Sequence, residues 1–168
     1  SDHADVHTIV VDENGKVVFD DLDYCDPFIS GKAIASGKGD DGCGILASDG
    51  TWLLEPKYKE IKEVEGKYFI ALDNDKEYIY DYNLNLLRER ECTLNELDTF
   101  YEVDGKLIRL LYGENIKYFD AFTDKIIAYN NINATGFEWH NNLFYGLSNG
   151  DVYIFDVNGK LLNMCEGK

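Results

Sequence analysis

Two interleaved series of turn sequences constrain the fold of this chain more than any other feature. The first series joins apolar, polar-turn and apolar segments, and its anchors Gly15, Gly50, Leu84, Thr123 and Gly159 are 35, 34, 39 and 36 residues apart. The second series has anchors Gly31, Gly66, Gly105 and Asn142, which are 35, 39 and 37 residues apart. Because the two series drift together, we interpret them as one internal repeat.

Each repeat unit is predicted to contain four short strands joined by three turns. In the second copy the predicted strands are 52–54, 60–64, 67–72 and 77–81. Connections this short permit only antiparallel neighbours. The sequence therefore predicts an all-β fold of repeated four-stranded antiparallel meanders in a small propeller-like arrangement. An open β-repeat array is the alternative, since sheets can also stack without closing.

The count of hairpins bears on ring closure. The first series occurs five times and the second four times, so the chain begins and ends on the same type of hairpin. In a closed ring, the N-terminal strand completes the last blade and removes sheet edges. An open array leaves its terminal sheets exposed.

The first-series turns have a readable chemistry. An Asp follows the first strand at Asp12, Asp81, Asp120 and Asp156. Its carboxylate can accept backbone N–H groups two residues on, so we interpret these residues as turn formers rather than metal ligands. Glycine supplies positive φ at positions 15, 50 and 159. The third and fourth copies lack that glycine, so their turns are expected to differ in type or length.

Length and hydropathy indicate a single folded domain. Residues 8–168 are predicted to form one β-repeat domain of about four units, and residues 1–7 a leader or engineered start. No apolar run approaches the ~20 residues of a membrane-spanning helix, so no transmembrane segment is expected. Thr93–Glu96 has the form of a capping box and predicts a loop insertion with one helical turn.

The charge of the chain restricts its partners. It has 32 acidic and 16 basic residues, a net charge of −16. A surface this negative repels phosphate, which argues against nucleic acid and anionic membranes as partners. The same charge favours solubility and is compatible with cationic partners.

One stretch resembles a known family of repeats. Residues 44–61 carry Gly44, Trp52, Pro56 and Tyr58 in the order typical of the WG-repeat (KWG-type) family of bacterial β-repeat proteins, and Phe28 to Ala35 resembles that family's Phe-x-x-Gly-x-Ala segment. The other copies are degenerate. The resemblance implies a repeat scaffold without shared catalytic residues. Residues 152–162 are also similar to β-propeller blades of the quinoprotein type, which is the related alternative.

No catalytic constellation emerges, so we predict that the chain is not an enzyme and uses no cofactor. Two of its three histidines, His3 and His7, lie in the predicted leader.

The Gly-rich stretch 37–44 is not a phosphate-binding loop and is interpreted as an elongated hairpin loop. The acidic cluster 20–26 fails the EF-hand pattern and is interpreted as a solvated loop, with Ca²⁺ as a minor alternative. The four cysteines lack metal-ligand spacing and are predicted to be free, partly buried thiols, with one or two disulfides as the alternative.

The fourth copy is rich in aromatic residues. We expect most of them in the core and consider Trp139, His140 and Tyr145 as a possible ligand or partner patch. The leading hypothesis is a non-catalytic module for protein–protein interaction or scaffolding. The alternative is a carbohydrate- or ligand-binding β module that uses exposed aromatics. The family resemblance favours an extracytoplasmic location, secreted or at the cell surface, in a bacterium.

Overall fold

The computed structural model describes residues 8–39, 42–92 and 98–167. Within these residues all regular elements are β-strands, arranged in four antiparallel sheets. The chain divides into two compact units, Ser1–Thr93 and Leu94–Lys168. The predicted leader 1–7 and the predicted helical turn 93–96 lie outside the described residues. The single domain predicted over 8–168 stays a prediction.

The first unit contains two sheets in which strands adjacent in sequence are adjacent in space. Sheet 1 consists of β1 (Thr8–Val11), β2 (Val17–Cys25), β3 (Lys32–Gly37), β4 (Cys43–Ala47) and β5 (Trp52–Tyr58). Sheet 2 consists of β6 (Glu60–Val64), β7 (Tyr68–Leu72), β8 (Lys76–Asp81) and β9 (Leu86–Glu91). Every pairing is antiparallel, as the short turns require.

The second unit repeats this arrangement with four strands in each sheet. Sheet 3 consists of β10 (Asp98–Val103), β11 (Lys106–Leu111), β12 (Ile116–Asp120) and β13 (Ile126–Asn130). Sheet 4 consists of β14 (Gly136–His140), β15 (Leu143–Ser148), β16 (Asp151–Phe155) and β17 (Leu161–Cys165). The predicted four-stranded antiparallel meander is therefore confirmed.

The predicted boundary of the repeat unit is wrong by one strand. The sequence grouped strand 52–54 with 60–64, whereas β5 pairs with β4 of the preceding sheet and the fourth strand of sheet 2 is β9. Only Lys59 separates β5 from β6. One residue is too short for an antiparallel hairpin, so the chain passes to the next sheet at this point.

The first-series turns are built around an Asp carboxylate, as predicted. Oδ1 of Asp12 accepts hydrogen bonds from the N–H groups of Asn14 and Lys16, each at 2.9 Å. Equivalent contacts to backbone N–H groups occur at Asp81, Asp120 and Asp156. These hydrogen bonds lower the pKa of the Asp81 carboxyl below its usual range, the side-chain bond to Asn85 being the largest cause.

The third first-series turn does not differ in length, so that part of the prediction is wrong. Leu84 has φ 66° and takes the place that Gly15 has in the first copy. Its N–H donates to the carbonyl of Asp81 at 3.0 Å, as that of Gly15 donates to Asp12 at 2.9 Å. Leu84 also packs against the core of the first unit, which offsets the cost of positive φ. The fourth turn is longer by one residue, as expected.

The second-series turns place two consecutive residues at positive φ. These pairs are Ser30–Gly31, Glu65–Gly66, Asp104–Gly105 and Asn141–Asn142. Two positive φ values in a row define the type I′ turn, whose twist matches that of the flanking strands. In sheets 2, 3 and 4 this turn joins the first and second strands, and in sheet 1 it joins β2 and β3.

The hydrophobic core lies between consecutive sheets within each unit. In the first unit, Ile45 and Tyr58 of sheet 1 pack with residues of sheet 2, and the hydroxyl groups of Tyr58 and Tyr80 are 2.8 Å apart. Burial is the main cause that raises the pKa of Tyr58. In the second unit the buried cluster consists of Tyr101, Ile108, Leu110, Ile116, Tyr118, Ala134, Phe144 and Phe155.

Two remaining predictions concern polar segments. The acidic cluster 20–26 is not a loop: residues 20–25 belong to β2, whose pairing with β1 and β3 holds them extended. The Gly-rich stretch connects β3 to β4, as expected of a hairpin.

All four cysteines are free, and Cys165 is exposed whereas the other three are half-buried.

Candidate functional site

β1 is an end strand of sheet 1, and β2 is its one neighbour among the described strands. Four residues of β1, Thr8–Val11, face six residues of β2, from Val17 to Leu22. The extra residues therefore lie on β2, and β1 keeps the regular alternation of an extended strand. The side of β1 away from β2 is paired with no other described strand.

The backbone of β1 presents polar groups at this edge with which no described strand pairs. The N–H of Asp12 donates to the carbonyl of Lys16 at 2.8 Å, so it points towards β2. Because successive residues of a strand alternate in direction, the N–H and C=O groups of Val11 and Ile9 point away from β2. A row of such groups is a template for another strand.

The side chains of β1 divide between the core and the solvent. Val10 is 8% exposed and packs in a cluster with Leu22, Ala35 and Leu46. Ile9 and Val11 lie on the opposite face and are 53% and 48% exposed. The strand thus has one buried face and one exposed apolar face.

Two adjoining hollows, of about 350 and 520 Å³, follow β1 and share Val10, Val11 and Phe28 in their walls. Phe28 is half-buried against the cluster that contains Val10. The other lining residues are Thr8, Ile9, Asp12, Glu13, Asn14, Cys25, Asp26, Pro27 and Ser48. We call these hollows together the edge groove.

The rim of the edge groove is acidic. Its described lining residues include Asp12, Glu13 and Asp26 but neither Lys nor Arg. The Tyr24 hydroxyl donates to the Asp26 carboxylate, and this hydrogen bond and the carboxylate charge raise the pKa of Tyr24. The groove therefore has an apolar floor and a negative border, which suits a cationic apolar ligand.

Among the described lining residues of the edge groove, Cys25 carries the one thiol. The pKa of this thiol is raised mainly by burial and secondarily by the charge of Asp26. A raised pKa lowers the thiolate fraction at neutral pH, and the thiolate is the nucleophile. Across the residues that the structure describes, no three His, Cys, Asp or Glu side chains are grouped to hold a metal ion.

The predicted patch of Trp139, His140 and Tyr145 does not lie on one face of sheet 4. Trp139 pairs with Phe144, whereas Tyr145 pairs with Glu138 and His140 with Leu143. Because paired residues share a face and neighbours alternate, Trp139 is on the face opposite to His140 and Tyr145. The three residues therefore cannot act as one flat surface, and a binding role for any of them stays a prediction.

Trp139 belongs partly to the core of the second unit. Its ring centroid is 4.4 Å from that of Phe144 and 5.5 Å from that of Tyr101. The residue is nevertheless 41% exposed, so one side of the indole remains open to solvent. Phe137 and Tyr153 are half-buried against the same core, whereas Tyr129 is 53% exposed, so the expectation that these aromatics lie mainly in the core is met only in part.

Sequence reasoning missed the edge groove. The groove itself depends on Phe28 folding back beside β1, which strand pattern alone does not reveal.

Comparison with known proteins informs the fold alone. No family model matches the sequence, and no curated protein matches it. The chain is similar in structure to BamB from Moraxella catarrhalis, with TM-score 0.57 at 12% identity over 98% of this chain and 60% of that one. It is also similar to the Neurospora crassa Pan2 WD40 domain, with TM-score 0.52 at 12% identity over 87% of this chain and 52% of that one. The fold is of the propeller type.

These likenesses confirm the predicted all-β, propeller-like fold of four antiparallel sheets. The chain spans 60% and 52% of the length of the two structures. In the described residues, no helix is long and apolar enough to cross a membrane.

Proposed function

We propose that this chain is a non-catalytic protein-binding module whose partner binds in the edge groove. The observation that carries the proposal is the pair of hollows along β1, whose described lining combines apolar Val10, Val11 and Phe28 with the acidic Glu13 and Asp26. Propeller-type neighbours, which typically mediate protein interactions, support this class of function.

A charge placed on the edge strand tests the proposal. The Val11→Lys substitution puts an ammonium group on the exposed face of β1 without disturbing the core. Leu53→Lys is the matched control, because Leu53 is 44% exposed on β5 at the other end of sheet 1. The wild-type, Val11→Lys and Leu53→Lys proteins are each immobilised, and proteins retained from native extract at physiological salt are identified by mass spectrometry.

We expect proteins that are retained by the wild type and by Leu53→Lys to be lost with Val11→Lys. Equal retention by all three proteins, or none above background, contradicts binding at the edge groove. A specific enzymatic turnover by the purified chain contradicts the non-catalytic assignment.

We further propose that the chain derives from WG-type repeats and acts outside the cytoplasm. The order of Gly44, Trp52, Pro56 and Tyr58 supports the first point, and the resemblance itself supports the second. The unprocessed N-terminus of the gene product tests the location. A carbohydrate site is not proposed, since Trp139 and Tyr145 lie on opposite faces of sheet 4.

A further inference from the structure

We propose that Asn149 is a site of spontaneous covalent modification, at which the side-chain amide is lost and the backbone rearranges through a cyclic imide. The site lies in the turn between β15 and β16 of the second unit. It is separate from the edge groove, so the inference does not depend on the proposed function.

The reaction is the deamidation of an Asn that is followed by Gly. The Gly nitrogen loses its proton and attacks Cγ of the Asn side chain, since Gly has no Cβ to hinder the approach. A new C–N bond closes the imide ring, and the amide nitrogen leaves as ammonia with the proton. Water then opens the ring at either carbonyl, which gives Asp or isoaspartate. The chain has Asn-Gly pairs at 14–15, 149–150 and 158–159.

Two of these Asn-Gly pairs are protected by the hydrogen bonds of first-series turns. The N–H of Gly15 donates to the carbonyl of Asp12 at 2.9 Å, and that of Gly159 donates to the carbonyl of Asp156 at 3.0 Å. A hydrogen-bonded N–H has to be released by local opening before its nitrogen can lose the proton. Gly159 is buried as well. Both turns therefore slow the reaction.

The pair at 149–150 lacks this protection. Asn149 and Gly150 have φ 52° and 88° and form a two-residue type I′ turn. Such a turn is closed by hydrogen bonding between its flanking residues, here Ser148 and Asp151, which are cross-strand partners. Among the described residues, no acceptor takes the N–H of Gly150. Both turn residues are exposed, so the reacting nitrogen is open to water.

Isoaspartate does not fit the turn in which it forms. Its backbone runs through the former side-chain methylene, which adds an atom to the main chain. The length of a two-residue loop fixes the register of its hairpin, here the pairing of Ser148 with Asp151. The same two strands supply Phe144 and Phe155 to the core, 1% and 0% exposed. The modification is therefore expected to destabilise the second unit.

Ageing of the purified full chain tests the proposal. The protein is kept at body temperature and mildly alkaline pH, and mass spectrometry of its proteolytic peptides follows the replacement of amide by carboxyl at each Asn. Asn14 is the matched control, because the pair 14–15 is as exposed as 149–150 but its Gly N–H is hydrogen-bonded. We expect Asn149 to react about fivefold or more faster than Asn14, since opening one hydrogen bond costs about that factor.

The same ageing in urea separates the effect of structure from that of sequence. In the unfolded chain the protecting hydrogen bonds are gone, so Asn14, Asn149 and Asn158 should react at similar rates. Equal rates at Asn14 and Asn149 in the folded protein would overturn the proposal. A ratio of the two rates that stays the same after unfolding would overturn it too, because sequence alone would then set the rates.

A variant of the control turn tests the protecting mechanism. Asp12→Ala removes the carboxylate that accepts the N–H groups of Asn14 and Lys16, and so loosens this turn. Deamidation should become faster at Asn14 and stay the same at Asn149. An unchanged rate at Asn14 would contradict protection by the turn.

The Asn149→Asp variant separates the new charge from the rearranged backbone. It carries the added carboxylate on a normal backbone, and Asp tolerates positive φ. In a Trp52→Phe background, Trp139 reports on the second unit, since its ring centroid is 4.4 Å from that of Phe144. We expect aged protein rich in isoaspartate to have a lower urea midpoint of fluorescence, and unaged Asn149→Asp to keep the original midpoint. An unchanged midpoint of the aged protein would contradict the predicted damage to the hairpin.

Discussion

The first-series turns combine an Asp carboxylate with a residue at positive φ. The carboxylate organises the turn locally, since it accepts N–H groups two and four residues ahead at Asp12 and Asp156. The space available for a side chain at the positive-φ residue differs between the copies. Gly15 has open space around it, whereas Gly159 is pressed against Tyr118 and Ala128.

Gly15 and Gly159 form a matched pair for measuring that difference. Their φ values are 78° and 79°, so Ala at either position incurs the same backbone cost, about 1–2 kcal/mol. A Cβ on Gly159 would lie 2.6 Å from Tyr118 Cδ2 and 2.6 Å from Ala128 Cβ, whereas a Cβ on Gly15 meets nothing within 4 Å. We expect Gly159→Ala to lower the free energy of unfolding by a further ~1–3 kcal/mol relative to Gly15→Ala. Urea denaturation measures both, and equal losses would contradict the packing argument.

The role of each turn Asp was predictable from sequence because its hydrogen bonds are local. The conformation of Leu84 was not predictable in the same way. Positive φ is costly for Leu, and a sequence rule therefore excludes it. The contact of the Leu84 side chain with the core of the first unit is tertiary and does not show in the turn sequence.

At the scale of strands, one buried ion pair fixes β9 to β8. Glu77 and Arg90 are direct cross-strand partners, and the guanidinium binds both carboxylate oxygens at 2.8 Å. The side chains are only 1% and 14% exposed. Arg90 thus holds an end strand of sheet 2 in register.

Removing one partner of this pair should be more harmful than removing both. Arg90→Met leaves the Glu77 carboxylate buried without its main counter-charge, and we expect a loss of about 3–5 kcal/mol in unfolding free energy. The Glu77→Leu/Arg90→Met double variant removes both charges and should recover most of that loss. Thermal and urea denaturation of the two variants measure the difference, and a double variant as unstable as the single one would contradict this account.

The strands themselves could be predicted from alternating apolar residues and turn anchors, but their grouping into sheets could not be predicted as well. The sequence shows a repeat period without showing where a unit begins. The single residue Lys59 between β5 and β6 marks the true boundary. The sequence interpretation places it inside a unit. The edge groove escaped prediction for a related reason, because it is formed by Phe28 and β1, which are distant in sequence.

At the scale of the whole chain, each compact unit has its own buried clusters. Residues from sheets 1 and 2 form the core of the first unit, and residues from sheets 3 and 4 form that of the second. In repeat proteins, stability is the sum of unit terms and nearest-neighbour terms. Whether the two units unfold together can therefore be measured. The interpretation of residues 8–168 as one domain predicts that they do.

The two tryptophans report on the units separately. Trp52 lies in the first unit against Phe19, with ring centroids 5.9 Å apart, and Trp139 lies in the second unit against Phe144. Trp139→Phe leaves Trp52 as the only indole, and Trp52→Phe leaves Trp139. If residues 8–168 form one cooperative domain, each variant's fluorescence midpoint in urea should coincide with its own far-UV circular dichroism midpoint. Comparison within one variant removes the effect of the substitution on stability. A fluorescence transition clearly separated from the dichroism transition in either variant would show that the units unfold independently and would contradict the single-domain prediction.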